Sequence, residues 1–249
     1  SEQKELERRR ETSLNIITHE LKNPLAAIQA NIQLAQRRLT DLIRNPATLD
    51  NQKQIILSQV KSRLAHGMAN LHDQAQLIDD LLDLSRFQVG KLEFHLETCD
   101  LVELVKQLLQ DKRITQPERE ITLALPDRRP LLVRADAQRT RQVLNNYLTN
   151  ALKYSPPDQP IRVELAADET CAYVRVRDHG LGLTPEQQER IWDCFYQTHE
   201  TPVYTKDTPG LGLGLYICQL LVRGQRGEVG VESARGAGST FWFTLPLAT

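Results

Sequence analysis

The spacing of apolar residues changes near Lys91, and this change constrains the fold more than any other feature of the chain. Before Lys91, apolar side chains recur at steps of three and four residues, whereas after it short runs alternate apolar with polar side chains. The first spacing predicts amphipathic helices and the second predicts strands. We therefore predict a multi-domain chain, with an all-α part in residues 1–90 and a mixed part in residues 91–249.

Two long helices make up the predicted all-α part. The first ends at Asn45-Pro46, because the residue before a proline is pushed out of helical geometry, and the second covers residues 50–89. Each helix carries one apolar stripe. The stripes consist of Leu14, Ile17, Leu21, Leu25, Ile28, Ile32, Ala35 and Leu39 in the first helix and of Val60, Leu64, Met68, Leu71, Ala75, Ile78 and Leu82 in the second.

A helical hairpin of this kind cannot cover its own apolar stripes. Two such hairpins packed about a two-fold axis would form a four-helix bundle with a closed core, so we predict a homodimer. A monomeric hairpin that packs against the rest of the chain is the alternative.

The mixed part interleaves strands and helices. Alternation at Leu92, Phe94 and Leu96 predicts a strand, and Asp100 is placed to cap the helix that comes next. Adjacent strands that do not alternate regularly with helices indicate an α+β fold rather than a doubly wound sheet. Further strands are predicted at residues 121–125, 131–134, 161–166, 171–177, 228–232 and 240–245, and further helices at residues 137–154, just after residue 185 and at residues 213–223.

Composition excludes several classes of function. The hydrophobic fraction of 40% and charged fraction of 25% are typical of a globular protein, and a net charge of −1 without a basic run predicts no nucleic-acid partner. The four cysteines form no C-x-x-C pair, so neither a zinc site nor a disulfide framework is indicated. Lacking an apolar run of membrane-spanning length, this fragment is expected to be cytoplasmic and free of membrane contact.

The stretch Thr18-His19-Glu20-Leu21-Lys22-Asn23-Pro24 places an ionisable side chain off the apolar stripe. His19 lies two residues from Ile17, about 200° around the helix, so its ring should face solvent. An imidazole with a pKa of about 6.5 is largely uncharged and nucleophilic near neutral pH, and Glu20 could take up its proton. A solvated surface histidine is the simpler alternative. Asn23 lies over the same helical face one turn on, and Pro24 should bend the helix there.

One face of the predicted helix at residues 137–154 carries Asn146, Asn150, Lys153 and Tyr154. Amide oxygens suit a hydrated Mg²⁺ ion, an ammonium group suits phosphate, and an aromatic ring suits a base. Exposed asparagine and lysine residues are also common on ordinary helices. This face therefore indicates a ligand site only in combination with later stretches of the chain.

Two glycine-rich stretches lie farther along the chain. In the first, the Asp178 carboxylate can accept a hydrogen bond from an adenine amino group, while Gly180 and Gly182 let backbone approach a flat ligand. The second opens onto a helix N-terminus, where backbone amides can cradle phosphates. Each stretch alone could be a turn, but their order after the asparagine face predicts a nucleotide site. The glycines of the second stretch are Gly210, Gly212 and Gly214.

Taken together, these stretches resemble the kinase core of a sensor histidine kinase over nearly the whole chain. The resemblance implies a dimerisation and phosphoacceptor hairpin followed by a Bergerat-type (GHKL) ATP-binding domain, which is an α+β two-layer sandwich. The stretches that carry it are T-H-E-L-K-N-P-L, N-N-Y-L-T-N-A-L-K-Y-S, D-H-G-L-G-L, I-W-D-C-F-Y, G-L-G-L-G-L and G-A-G-S-T-F-W-F.

The resemblance also implies roles for individual residues. His19 would be the phosphorylated nucleophile and Glu20 its general base, while Asn146 and Asn150 would hold Mg²⁺. The phosphoryl group would pass to an aspartate of a response regulator receiver domain, and an upstream sensor domain would lie outside this fragment. The implied ATP-binding residues are Asn146, Asn150, Lys153, Tyr154, Asp178, Gly180, Gly182, Phe195, Gly210, Gly212 and Gly214.

Asn23 extends the resemblance to kinases that also dephosphorylate their partners, because the spacing Glu20-x-x-Asn23 matches theirs. Its amide would orient a water beside a phospho-aspartate; alternatively, it only satisfies backbone groups at the Pro24 bend. Cys194 and Gln197 depart from the family, which commonly has Pro and often Arg there, and Lys206 is a candidate substitute for that arginine.

Two other classes of function stay open. Related ATPases such as chaperones, topoisomerases and mismatch-repair proteins place a water-activating glutamate where this chain has Asn146, which cannot accept a proton. A pseudokinase scaffold would dimerise without chemistry, and the presence of His19 beside a full set of ATP residues argues against it.

Overall fold

A computed structural model describes residues 28, 30–37, 39, 50–88, 90–126, 130–198 and 211–248. The chain divides into two compact units, Ser1–Arg86 and Phe87–Thr249. Most of the predicted first helix lies outside the described residues, although residues 30–37 are helical. Within the described ranges, no helix combines the length and the apolar composition needed to cross a membrane.

The first unit is dominated by one long helix, α1 (Asp50–Gln88), at the position predicted for the second helix. Val60 and Leu84 on this helix are buried. The middle of its predicted stripe is not, since Leu64, Met68 and Leu71 are 48%, 66% and 45% exposed. In the part of the chain that the structure describes, a large apolar face of α1 is therefore left uncovered.

The second unit contains a two-stranded and a five-stranded sheet. In the first, β1 (Glu97–Asp100) pairs antiparallel with β3 (Leu132–Ala135). The strands of the second are β2 (Ile121–Ala124), β4 (Ile161–Ala167), β5 (Cys171–Arg177), β6 (Val229–Ser233) and β7 (Ser239–Pro246). Their order is β2-β4-β5-β7-β6, in which only the β2–β4 pair is parallel.

Helices cover one face of the five-stranded sheet, so the predicted α+β two-layer arrangement is confirmed. The longest of these helices, at residues 137–154, packs against the helices at residues 101–115 and 214–224 and against β5. The sheet is antiparallel except at one edge, as expected for this class. The helices are α2 (Leu101–Thr115), α3 (Ala137–Tyr154), α4 (Pro185–Arg190) and α5 (Gly214–Gly224).

The strand predicted from Leu92, Phe94 and Leu96 is wrong, because residues 91–96 form no regular secondary structure. Pairing with β3 begins only at Glu97, so the preceding residues have no strand beside them. Phe94 packs instead against Gly224, where an added Cβ atom would overlap its ring. The alternation reflects separate contacts of single side chains and not a sheet.

Aromatic residues join the helical layer to the sheet. The fully buried ring of Tyr147 in α3 lies 5.6 Å from that of Phe241 and 5.9 Å from that of Phe243. Trp192 meets Phe241 edge-on, with the ring centroids 6.3 Å apart. Trp242 lies between these two phenylalanines in β7, so it faces the opposite side of the sheet, and it covers Gly230 of the neighbouring strand.

A buried amide ties the start of α3 to the end of α5. Asp136 caps α3, and its side chain accepts a hydrogen bond from the Arg139 amide. The side-chain oxygen of Gln225 accepts hydrogen bonds from the Asp136 amide (2.7 Å) and the Thr140 hydroxyl (3.2 Å), and its nitrogen donates to the Leu221 carbonyl. Since Gln225 is only 1% exposed, this link fixes the two helices that carry the predicted site.

Candidate functional site

Asp178, at the end of β5, has two carboxylate oxygens in different situations. Oδ1 accepts hydrogen bonds from the amides of Gly180 (2.7 Å) and Ser239 (3.3 Å). Oδ2 accepts none from the part of the chain that the structure describes. Burial raises the pKa of Asp178 above its ordinary value, and the two amides oppose that rise. A carboxylate oriented through one oxygen can offer the other to a ligand.

The loop after Asp178 is packed against protein backbone. Gly180 lies against the Tyr154 carbonyl at the end of α3. Gly182 has a φ of 67° and lies so close to the Ala234 carbonyl that a Cβ atom would overlap it. A left-handed backbone and this close approach both require glycine there. Close packing within the protein therefore explains why glycine is needed at these two positions. The sequence predicts a further reason, the close approach of a ligand.

The four predicted residues of α3 lie in its C-terminal half, between residues 146 and 154. The Asn150 side-chain nitrogen donates to the Asn146 oxygen at 3.1 Å. Lys153 is largely buried, and its ammonium nitrogen lies 5.4 Å from the centre of the Tyr154 ring. Burial raises the pKa of the Tyr154 phenol, so this ring is neutral at physiological pH. Two amides, a cation and a neutral ring thus share the C-terminal half of the helix.

The start of α5 meets this end of α3. Gly214, the first residue of α5, lies against Asn146, whose amide nitrogen would be overlapped by a Cβ atom at that position. Gly212 has a φ of 71° and lies against the Tyr196 carbonyl, and its own carbonyl accepts a hydrogen bond from the Phe195 amide. The structure therefore brings Asn146, Gly214, Gly212 and Phe195 into one connected region.

Several predicted site residues lie outside the described residues. They are His19, Glu20, Asn23, Lys206 and Gly210.

Family models match both parts of the chain. Residues 9–90 match the His Kinase A (phospho-acceptor) domain, and residues 135–249 match the Histidine kinase-, DNA gyrase B-, and HSP90-like ATPase family. The chain contains the two domains of a two-component histidine kinase core. Its second unit is accordingly a nucleotide-binding domain of the ATPase type.

Individual relatives agree with this assignment. Sensor histidine kinase WalK of Bacillus subtilis is 28% identical over 250 residues, which are 99% of this chain and 38% of the relative. Adaptive-response sensory kinase SasA of Thermosynechococcus vestitus is 31% identical over 239 residues, or 94% of this chain and 59% of the relative. The chain therefore spans a part of each of these proteins.

A similar solved structure is that of full-length ShkA in complex with AMPPNP. It has a TM-score of 0.60 and 26% sequence identity, and the match covers 96% of this kinase core and 46% of that chain.

The kinase core also uses residues that the sequence analysis missed. The Ser239 amide in β7 donates to Asp178. Ser233 in β6 accepts a hydrogen bond from the Leu183 amide and donates to the Gly238 carbonyl, each at 2.8 Å. His179 and Arg119 contact the loop after α3. No local pattern shows these links, because each joins strands or loops distant in sequence; the signals in the sequence are the positions of His179 within D-H-G-L-G-L and of Ser239 within G-A-G-S-T-F-W-F.

The described residues contain no group of three or more His, Cys, Asp or Glu side chains that could hold a metal ion. The oxygen donors in the C-terminal half of α3 are the amides of Asn146 and Asn150. Magnesium in nucleotide sites takes few protein ligands and relies on phosphates and water for the rest. These two amides fit such an ion.

Proposed function

We propose that the chain is an ATP-dependent protein-histidine kinase that phosphorylates His19 and passes the phosphoryl group to an aspartate of a response regulator. The observation that carries the proposal is that one chain contains both a phospho-acceptor domain and an ATPase-type domain. His19 falls within the match to the phospho-acceptor domain, and the site around Asp178 and Asn146 falls within the match to the ATPase family. Neither part alone performs the reaction.

The geometry supports a separate role for each residue of the nucleotide site. Oδ2 of Asp178, which accepts no hydrogen bond from the described residues, would accept one from the adenine amino group. Lys153 would face the phosphates, and the Tyr154 ring would contact the base. Phe195 and the glycines Gly180, Gly182, Gly210, Gly212 and Gly214 would line the rest of the site.

Asn146 and Asn150 would hold Mg²⁺ through their amide oxygens, and the ion would neutralise phosphate charge. Asn150 donates to Asn146 and keeps its own oxygen free of hydrogen bonds from the described residues. The His19 ring would attack the terminal phosphorus as the bond to ADP breaks, while Glu20 takes up the ring proton.

We further propose the organisation of the molecule. Residues 1–90 would form the dimerisation and histidine phosphotransfer domain of a homodimer, and residues 91–249 the catalytic ATP-binding domain. A response regulator receiver domain would be the protein partner, and a sensor domain would precede this chain in the whole protein.

Incubation with γ-labelled ATP tests the proposal. The wild-type chain should acquire a label that is lost in acid and stable in base, because the product is a phosphoramidate. His19→Gln should abolish the label. His95→Gln, at an exposed histidine of the second unit, is the matched control and should keep it. A label retained by the His19 variant, or an acid-stable label, would contradict the assignment.

A further inference from the structure

We propose that His179 is a positioning residue of the nucleotide site, which fixes the loop after α3 to the loop that carries Asp178. The inference rests on the proposed nucleotide-binding function and assigns to this site a residue that touches neither base nor phosphate. Its basis is a pair of hydrogen bonds to the segment 155–160, which we call the proline loop.

Both backbone and side chain of His179 bind the proline loop. The His179 amide donates to the hydroxyl of Ser155 at 3.2 Å, and the ring nitrogen Nδ1 lies 3.0 Å from the carbonyl oxygen of Pro160. A carbonyl oxygen can only accept, so Nδ1 must carry the proton in this contact. Because Nδ1 also carries a proton in the imidazolium form, the bond persists in either charge state of the ring.

The proline loop depends on such outside donors. Three of its six residues are prolines, which lack a backbone N–H, so the loop can form few hydrogen bonds of its own. Arg119 supplies a second anchor, because its guanidinium donates to the carbonyls of Pro156 (2.7 Å) and Ser155 (3.4 Å). The loop is therefore held by one basic side chain near its start and by His179 at both ends.

The position of the loop matters because it begins directly after the ligand-facing end of α3. Tyr154 precedes Ser155, and the Tyr154 carbonyl lies against Gly180, whose amide in turn holds Asp178. His179 thus joins the segment that carries the carboxylate proposed for the base to the loop that follows the helix carrying the residues proposed for phosphate and metal. Loss of its bond to Pro160 should let these two parts shift relative to each other.

Two substitutions of His179 distinguish the effect of the Nδ1–H hydrogen-bond donor from the effect of the imidazole ring as a whole. His179→Asn keeps a donor nitrogen on Cγ, where Nδ1 lies, whereas His179→Gln moves the donor one carbon farther out. Both variants are studied in the full chain, with ADP without metal as the probe, by titration calorimetry. We expect the Asn variant to bind ADP within about twofold of wild type and the Gln variant about 3- to 10-fold more weakly, the range of one net hydrogen bond. His95→Gln is the control and should bind as wild type.

A second measurement reads the contact without nucleotide. Hydrogen exchange of the His179 and Gly180 amides should accelerate in the Gln variant and stay at the wild-type rate in the Asn variant. A uniform loss of thermal stability in both variants, with equal loss of binding, would overturn the positioning role. So would Gln and Asn variants that both match wild type in exchange and in ADP binding. Absence of ADP binding by wild type would refute the proposed function, whereas the exchange rates would still decide whether His179 fixes the loop.

Discussion

At the scale of single residues, Asp178 combines a structural and a binding task in one side chain. Its Oδ1 closes the turn to Gly180 and joins β5 to Ser239, while Oδ2 accepts nothing from the described residues. An amide side chain would preserve the oxygen that closes the turn. It would put an NH₂ group, which cannot accept a hydrogen bond, in the place of the Oδ2 oxygen.

Asp178→Asn should therefore weaken binding of adenine nucleotides while the fold persists. The loss should be on the order of 1.5–3 kcal/mol, as for a hydrogen bond to a charged group. Titration calorimetry with ADP measures it. An unchanged dissociation constant would remove Asp178 from the site.

The stability of the same variant serves as its control, and its pH dependence has a definite sign. Burial raises the pKa of Asp178 in the folded state. The contribution of Asp178 to the free energy of unfolding is therefore fully present below the ordinary Asp pKa and is lost as the pH rises through the raised folded-state pKa. The free energy of unfolding of wild type minus that of Asp178→Asn should accordingly fall with rising pH in this window. A difference that rises with pH would contradict a desolvated carboxylate.

Asn23 carries a separate prediction about the reverse flow of phosphate. We propose that its amide orients a water beside the phospho-aspartate of a docked regulator, because an acyl phosphate needs an aligned water more than a strong base. Asn23→Ala should still phosphorylate His19 but lose the phosphatase action. The decay of purified phospho-regulator in the presence of ADP measures this. Equal decay with wild type and variant would leave Asn23 only a role at the Pro24 bend.

At the scale of elements, the contact between α3 and the start of α5 decides how Asn146 is held. Gly214→Ala would place a methyl group on the Asn146 amide and displace either that amide or the helix. We expect the Mg²⁺-dependent part of ATP binding to fall about tenfold, or roughly 1.4 kcal/mol, within the usual cost of overpacking. Calorimetry with ATP, with and without Mg²⁺, measures the change.

Gly67→Ala is the matched control for this substitution. Gly67 is a helical glycine of α1, and an added Cβ atom would make only an ordinary contact of 3.9 Å with Asn31. It should leave the Mg²⁺-dependent binding unchanged. An effect of equal size in both variants would refute the special role of the Gly214 contact.

The elements also show which parts of the fold can be predicted from sequence. The prediction of α3 was right at both ends, because Asp136 caps its start and Pro156 comes just after its end. The strand at residues 91–96 failed because pairing depends on β3, which lies farther along the chain. The candidate site was visible as Asn, Asp and Gly stretches, and His179 and Ser239 lie within stretches that carry the resemblance, but the contacts made by these two residues and by Arg119 were not visible. Those links arise only when distant loops meet.

At the scale of the whole molecule, the uncovered face of α1 supports the proposed homodimer. The full chain should sediment as a dimer, since at about 25 cal/mol per Å² a long apolar face can outweigh the cost of association. The double variant Leu64→Glu, Met68→Glu should be monomeric, because it would bury charges in the bundle core. Gln59→Glu, at an exposed polar position of α1, is the control and should remain dimeric. A monomeric wild-type chain would refute the bundle.

The chain contains two tryptophans, and β7 separates their surroundings. Trp192 packs edge-on against Phe241, close in sequence to the proposed nucleotide residue Phe195, whereas Trp242 covers Gly230 on the opposite face of the sheet. Their fluorescence therefore reports on two different places at once. Replacing Trp242 by phenylalanine would leave a single emitter beside the segment that leads to Phe195. Such a variant would be an optical probe of nucleotide binding that requires no attached dye.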